Sequence, residues 1–269
     1  MAIKLGIISD PISGFNIKKD TGFAMMMQAQ KRGYEIYYME MDDLSLRQGK
    51  SYATAAKAQV FNNTEKWYEL EEKATIALAD LDVILMRKDP PFDTEYIYAT
   101  YILERAEQEG TLIINKPQSL RDANEKLFTA WFSEHTPDTL VTRSQAQIRA
   151  FLAEHKDIIL KPLDGMGGAS IFRIKEDDAN IGVICETLTE HGSRFAMVQN
   201  YIPEIKQGDK RVLVVDGEVI PYCLARIPQN GETRGNLAAG GRGEARPLSE
   251  SDLKIAQAVA PTLKEKGLV

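Results

Sequence analysis

Short apolar runs bounded by turn residues alternate with helical periodicity through the first third of the chain. Residues 3–9 (IKLGIIS) predict a strand, residues 21–31 an amphipathic helix closed by Gly33, and residues 35–41 a second strand. This βαβ order favours a parallel sheet, because parallel neighbours need a crossover between them. Residues 81–86 then predict a buried strand, residues 94–108 a helix closed by Gly110, and residues 111–115 another strand. The first strand-to-helix turn, residues 9–19, carries no G-x-G-x-x-G, which disfavours a dinucleotide site there.

Pro117 interrupts the pattern, and residues 119–122 (SLRD) read as a capping box opening a helix that runs to residue 133. From Leu140 the pattern changes. A strand, a helix (144–155), a strand (157–160), a glycine loop, a strand (171–174), a helix (180–191) and a strand (195–201) follow in order. Residues 211–215 and 219–227 then form a hairpin turned at Asp216-Gly217. This mixture predicts an α+β domain, distinct from the parallel-sheet α/β domain before it. The expected division is residues 1–120 and residues 121–269.

The chain of 269 residues is long enough for two such cores. Its net charge of −6, from 33 basic and 39 acidic side chains, argues against nucleic acid as the default partner. No apolar run approaches the roughly 20 residues that span a bilayer, and the N-terminus has no signal-peptide pattern, so no membrane partner is expected and the cytoplasm is the expected location. Cys185 and Cys223 lie in apolar segments and read as buried, reduced thiols.

The candidate chemistry is cationic and glycine-rich. In residues 161–170 (KPLDGMGGAS), Gly165, Gly167 and Gly168 let backbone N–H groups converge on an anion, and Lys161 brings a point charge from the incoming strand. This reads as a phosphate cradle closed by two strands, unlike the P-loop, which opens a helix. A glycine-rich hairpin without a ligand is the alternative. Residues 228–247 hold five glycines with Arg234, Arg242 and Arg246, and read as a lid whose arginines clamp phosphate or carboxylate. A solvated loop, or an arginine–glycine tract touching nucleic acid, which the acidic net charge disfavours, is the alternative there. His135, His155 and His191 are widely spaced, and no H-E-x-x-H, C-x-x-C or G-x-S-x-G is present, so zinc and serine chemistry are set aside. Lys126, Lys161, Arg211, Arg226 and Arg234 all flank these loops, equipment that suits phosphoryl transfer.

Three strings carry a resemblance: DLDVILMRKDPPFDTEYIYATYILERAEQEGTLIINKPQSLRDANEKLFTAWF, DIILKPLDGMGGASIFRI and GDKRVLVVDGEVIPYCLARIPQNGETRGNLAAGGRGE. Over residues 3–269 the chain resembles bacterial glutathione synthetase, of the ATP-grasp superfamily. The resemblance implies a pre-ATP-grasp domain followed by an ATP-grasp domain. It also implies ATP-dependent joining of γ-glutamylcysteine to glycine through an acyl phosphate, with magnesium, in a homotetramer. It assigns Lys126, Lys161, Gly165, Gly167 and Gly168 to the ATP phosphates, Gln199, Asn200, Tyr201 and Ile202 to adenine, and Asp209 to the nucleoside. By the same resemblance Arg211 and Arg226 are expected to face the peptide substrate and the transferred phosphate, Arg234 to join them as catalytic, and residues 227–242 to form the lid. Arg87, Lys88 and Asp89 end a strand, where α/β sheets place ligands, and are assigned to substrate binding. The resemblance places the metal ligands, an aspartate and an E-x-N motif, after Val269. No metal ligand is therefore assigned in residues 1–269, and weak or no turnover is expected of them in isolation. Another ATP-grasp ligase, such as a D-alanine–D-alanine or glutamate-adding ligase, and a non-catalytic nucleotide-binding module are the competing readings.

Overall fold

Strand β1 (Lys4–Ile8) sits at the centre of the N-terminal sheet and explains its layering. Leu5 and Ile7 point to one face, Ile8 to the other, and all three are buried. The structure is a computed structural model that describes residues 2–229, 237 and 240–269. The chain divides into two compact units. One runs to Asp122 and regains Lys266–Leu268; the other holds Ala123–Glu265 and Val269.

In the first unit β1 is followed by α1 (Thr21–Lys31), β2 (Glu35–Met39), β3 (Leu44–Arg47), β4 (Lys50–Val60), β5 (Tyr68–Leu70), β6 (Ala74–Ala77), β7 (Val83–Met86), α2 (Thr94–Gln108), β8 (Leu112–Ile114) and α3 (Pro117–Asp122). The order β2-β1-β7-β8 is parallel throughout, and β4 joins β2 antiparallel. The β3–β6 arm had no counterpart in the apolar pattern. Helix α1 lays Phe23, Met26 and Ala29 on Leu5 and Ile7, while α2 lays Tyr96, Ala99 and Leu103 on Ile8 and Ile84, so each face of the sheet has its own core. Each helix starts at an aspartate cap: Phe23 N–H donates to Asp20 Oδ1 at 2.7 Å and Tyr96 N–H to Asp93 Oδ1 at 2.9 Å.

The expected helix over residues 119–133 is corrected. α3 begins at Pro117, a favoured first helical position, and ends at Asp122. Asn124 then takes the backbone out of the helix. Its Oδ1 accepts from Lys126 N–H at 3.1 Å and Leu127 N–H at 2.9 Å, opening a separate 3₁₀ segment, Leu127–His135.

The second unit continues with β9 (Thr139–Thr142), α4 (Gln145–His155), β10 (Asp157–Pro162), β11 (Phe172–Lys175), α5 (Ile181–Thr189), β12 (Ala196–Asn200), β13 (Asp209–Val215), β14 (Glu218–Ile227), β15 (Arg242–Pro247) and α6 (Glu250–Glu265). Two antiparallel sheets result, ordered β11-β10-β12-β9 and β13-β14-β15. Ile158, Leu160, Ile174, Ala196 and Val198 pack on Ile148, Leu152, Cys185 and Leu188 of α4 and α5. Burying each such Ile or Leu contributes about 2 kcal/mol. Helix α6 packs on β13 and β14, where Cys223 and Ala225 are buried. Both cysteines are buried and free.

Residues 242–247 are also a correction. They form a strand paired to β14, not a loop. Charged Arg242, Glu244 and Arg246 alternate with small Gly243 and Ala245, the period of a strand. Of the remaining expected lid, residues 230–236, 238 and 239, Arg234 included, lie outside the described residues.

Candidate active site

Because Ile158 and Leu160 point to the helices, alternation puts Asp157, Ile159 and Lys161 on the other face of the β10 sheet. There Lys161 Nζ donates to Gln199 Oε1 at 2.7 Å, and Gln199 Nε2 donates to Thr139 Oγ1 at 2.9 Å, a polar line across three adjacent strands. Burial holds the Lys161 ammonium below its ordinary range, the charge of Lys126 adds to this, and Glu125 opposes it. A partly desolvated ammonium whose hydrogen bond goes to a neutral amide gains much from an arriving anion.

Lys126 opens the 3₁₀ segment. Its Nζ donates to Gly165 O at 2.5 Å and Leu163 O at 3.4 Å, and pairs with Glu125 Oε1 at 2.8 Å. The glycine loop between β10 and β11 needs its glycines for separate reasons. Gly167 and Gly168 have φ of 67° and 84°, and a Cβ on Gly165 would lie 2.9 Å from Pro162 Cγ. β10 and β11 pair antiparallel up to Leu160↔Phe172, so the loop is held between strands as the pattern indicated.

The four residues after β12's midpoint separate by alternation. Gln199 lies with Lys161, whereas Asn200 lies opposite Ile158 on the helix side, where its Oδ1 is buried without a hydrogen-bond partner. Tyr201 N–H donates to Asp157 O at 2.9 Å. The Tyr201 ring lies 3.6 Å from the Arg173 guanidinium, which forms a bidentate pair with Asp157 at 2.9 and 2.6 Å. The Tyr201 hydroxyl is buried and also without a partner. Ile202 is exposed and leads through a turn, Pro203–Gln207, to the second sheet.

On that sheet Asp209 stands opposite Arg226, and Arg211 opposite Leu224. These four share the face away from α6, so Arg211 and Arg226 are diagonal neighbours. Arg226 forms a bidentate pair with Asp209 at 2.6 and 2.8 Å, while Arg211 is exposed. Gly208, at φ 103°, brings the chain so close that a Cβ would lie 2.9 Å from Arg226 O.

Arg87, Lys88 and Asp89 lie in the first unit, directly after β7. Lys88 Nζ pairs with Asp10 Oδ1 at 2.7 Å, and Asp89 N–H donates to Asp10 Oδ2 at 2.9 Å. They stand at the C-terminal ends of β1 and β7, the ligand edge of an α/β sheet. Asp10 was not singled out from sequence, nor were Glu125, Thr139, Asp157 and Arg173, because single polar residues on strands and turns carry no local signature. Among the described residues no three His, Cys, Asp or Glu side chains group to hold a metal ion.

The N-terminal domain family of prokaryotic glutathione synthetase matches residues 3–121, and the ATP-grasp domain family of the same enzyme matches residues 125–269. The chain belongs to the prokaryotic glutathione synthetase family. A glutathione synthetase of Escherichia coli O127:H6 is 71% identical over 267 residues, covering 99% of this chain and 84% of the relative. The glutathione synthetases of Photorhabdus laumondii and Salmonella typhimurium are likewise 71% identical, covering 84% and 85% of those relatives. Among solved structures, the D-cycloserine synthetase DcsG aligns with a TM-score of 0.65 at 16% identity, covering 98% of this chain and 82% of that one. The ATP-grasp ligase PsnB, solved with minimal precursor, Mg and ADP, aligns at 0.57 and 18%, covering 98% and 81%. These two share the ATP-grasp fold with the glutathione synthetase family. Among the described residues no helix is long and apolar enough to cross a membrane.

Proposed function

We propose that this chain joins the cysteinyl carboxylate of γ-glutamylcysteine to the amine of glycine, at the expense of ATP, giving glutathione, ADP and phosphate. Membership of the glutathione synthetase family makes it an ATP-dependent ligase acting on small molecules, which leaves the D-alanine–D-alanine, glutamate-adding and non-catalytic readings without support. The residues fit a nucleotide. The observation that carries the reading is the Lys161–Gln199 contact at 2.7 Å on the open sheet face, with Lys126 against the glycine loop.

In this reading Lys126 and Lys161 hold the phosphates with the backbone of Gly165, Gly167 and Gly168. Gln199, Tyr201 and Ile202 flank the base. Asn200 contributes through its backbone, since its side chain lies on the helix side. Asp209 contacts the nucleoside and, through its bidentate pair, fixes Arg226. When bound, ATP supplies the phosphoryl group that activates the carboxylate, and the glycine amine then displaces phosphate from the mixed anhydride. Arg226 and Arg211, on one face, stabilise the charge on the phosphoryl oxygens during transfer, and Arg234 is assigned the same role. Arg87, Lys88 and Asp89 bind the peptide substrate. The nucleotide acts with a divalent cation, which we take to be magnesium. The described residues contain no cluster that fits it, so no residue here is named as its ligand and no step is routed through it. Buried, reduced Cys185 and Cys223 suit the cytoplasm, and a homotetramer is the assembly we propose.

The test is phosphate release and glutathione formation with ATP, magnesium, γ-glutamylcysteine and glycine, each omitted in turn. Release above background only in the complete mixture supports the reading, however slow. Release that ignores γ-glutamylcysteine or glycine contradicts it.

A further inference from the structure

Within residues 163–170 Asp164 is the sole ionisable side chain. Its Oδ2 accepts from Arg194 Nη2, and Arg194 Nη1 donates to Glu190 Oε1 at 2.7 Å, so one guanidinium bridges two carboxylates. Arg194 stands on a fixed turn between α5 and β12. Glu190, His191 and Gly192 have φ of 47°, 55° and 89°, and Arg194 N–H donates to Thr189 O at 2.8 Å. Thr189 is itself fully buried, its hydroxyl on Cys185 O at 2.6 Å and its Oγ1 accepting from Gly192 N–H at 3.1 Å. The glycine loop is thus held by two cations: Lys126 on the carbonyl of Gly165 and Arg194 on the carboxylate of Asp164.

This arrangement answers two problems of a phosphate loop. Glycines at positive φ leave the free loop many conformations, and ordering them on binding weakens affinity unless the loop is ordered beforehand. A bare carboxylate beside the loop would also repel the incoming phosphates. The side chains of Arg194 and Asp164 are 44% and 33% exposed, so the pair itself adds little to global stability.

We infer that Arg194 is a positioning residue of the nucleotide site, holding the glycine loop through Asp164 and cancelling that carboxylate's charge, with Glu190 orienting the guanidinium. The inference rests on the nucleotide reading above and deepens it.

The test is the Kd of a non-hydrolysable ATP analogue with magnesium, by calorimetry. It is measured for the parent chain, Arg194→Gln, Arg194→Lys, Asp164→Asn and the Arg194→Gln/Asp164→Asn double variant, with thermal midpoints and hydrogen exchange of residues 163–170. Arg194→Gln should bind about tenfold more weakly, a loss of about 1.4 kcal/mol, with faster loop exchange and a midpoint within about 2 °C of the parent. Arg194→Lys should fall between the two, and the double variant should bind no more weakly than Arg194→Gln alone, because both changes break one contact. Unchanged affinity in Arg194→Gln, losses that multiply in the double variant, or a loss accompanied by a clearly lowered midpoint would each overturn the inference. If the parent itself fails to bind the analogue, the nucleotide reading falls; if the parent binds and Arg194→Gln matches it, only the inference about Arg194 falls.

Discussion

Lys161 and Gln199 meet across adjacent antiparallel strands, Nζ to Oε1 at 2.7 Å, with Lys161 paired in register to Met197 and Gln199 to Ile159. The ammonium is depressed first by burial and then by Lys126. A lysine depressed in the folded state carries an electrostatic cost fully present at low pH and removed as pH rises through the folded and then the unfolded value. Phosphate reverses the preference by favouring the charged form. Nucleotide binding should therefore take up a proton at alkaline pH, and affinity should fall as pH rises towards the ordinary lysine value of 10.5. Calorimetry in buffers of different ionisation enthalpy measures this. Lys161→Arg, always charged, should flatten the profile; an unchanged profile in that variant would assign the titration elsewhere.

Asp209 and Arg226 form the second bidentate pair of the site. Arg226→Lys keeps a charge but loses the fork. It should lower kcat by about 10²- to 10³-fold if this guanidinium meets transition-state charge, while leaving the Kd of the ATP analogue near that of the parent. Steady-state kinetics together with calorimetry separates the two effects.

Gly168 is buried and sits at φ 84°. Gly168→Ala should cost about 1–2 kcal/mol in local strain, expressed as weaker nucleotide binding. The same change at Gly14, which has open space around its Cβ position and no positive φ, should leave binding untouched.

Much of the ATP-grasp unit was legible in the sequence because its signals are local. Asp216-Gly217 turns the β13–β14 hairpin, Ser144 caps α4 with its Oγ accepting from Gln147 N–H at 3.4 Å, and the glycines mark the loop between β10 and β11. The first βαβ turn was legible for the same reason. What was missed depends on distant partners. Strand β4 reads KSYATAAKAQV, with four alanines and two lysines, residues of poor strand propensity. It is a strand because Ala53, Ala55, Ala56 and Ala58 are buried against its neighbours, a tertiary effect that overrides local preference. The break at Asn124 turned on one side-chain oxygen competing for backbone N–H groups, and β15 on Gly243 and Ala245 fitting beside β14. Arg194 has no motif at all; only the fold brings it to Asp164.

Leu160 is fully buried between β10 and the α4–α5 layer. Leu160→Ala should destabilise the second unit by about 2–5 kcal/mol, the range for a core truncation that leaves a cavity. Denaturant unfolding followed by a probe in that unit would read it.

Cys185 and Cys223 are buried, and burial raises the Cys185 thiol above its ordinary range. A thiol reagent should leave the native protein nearly unmodified at pH 8 and titrate two thiols after denaturation. Rapid modification of either in the native state would show that its segment opens.

The most direct measurement follows the oxygen of the activated carboxylate. γ-Glutamylcysteine labelled with ¹⁸O in its cysteinyl carboxylate is incubated with ATP, magnesium, glycine and the protein, and the released phosphate is analysed by mass. Activation by phosphoryl transfer requires one labelled oxygen in each phosphate released, with the other retained in the new peptide bond. Glutathione formed with unlabelled phosphate would contradict the proposed route through an acyl phosphate.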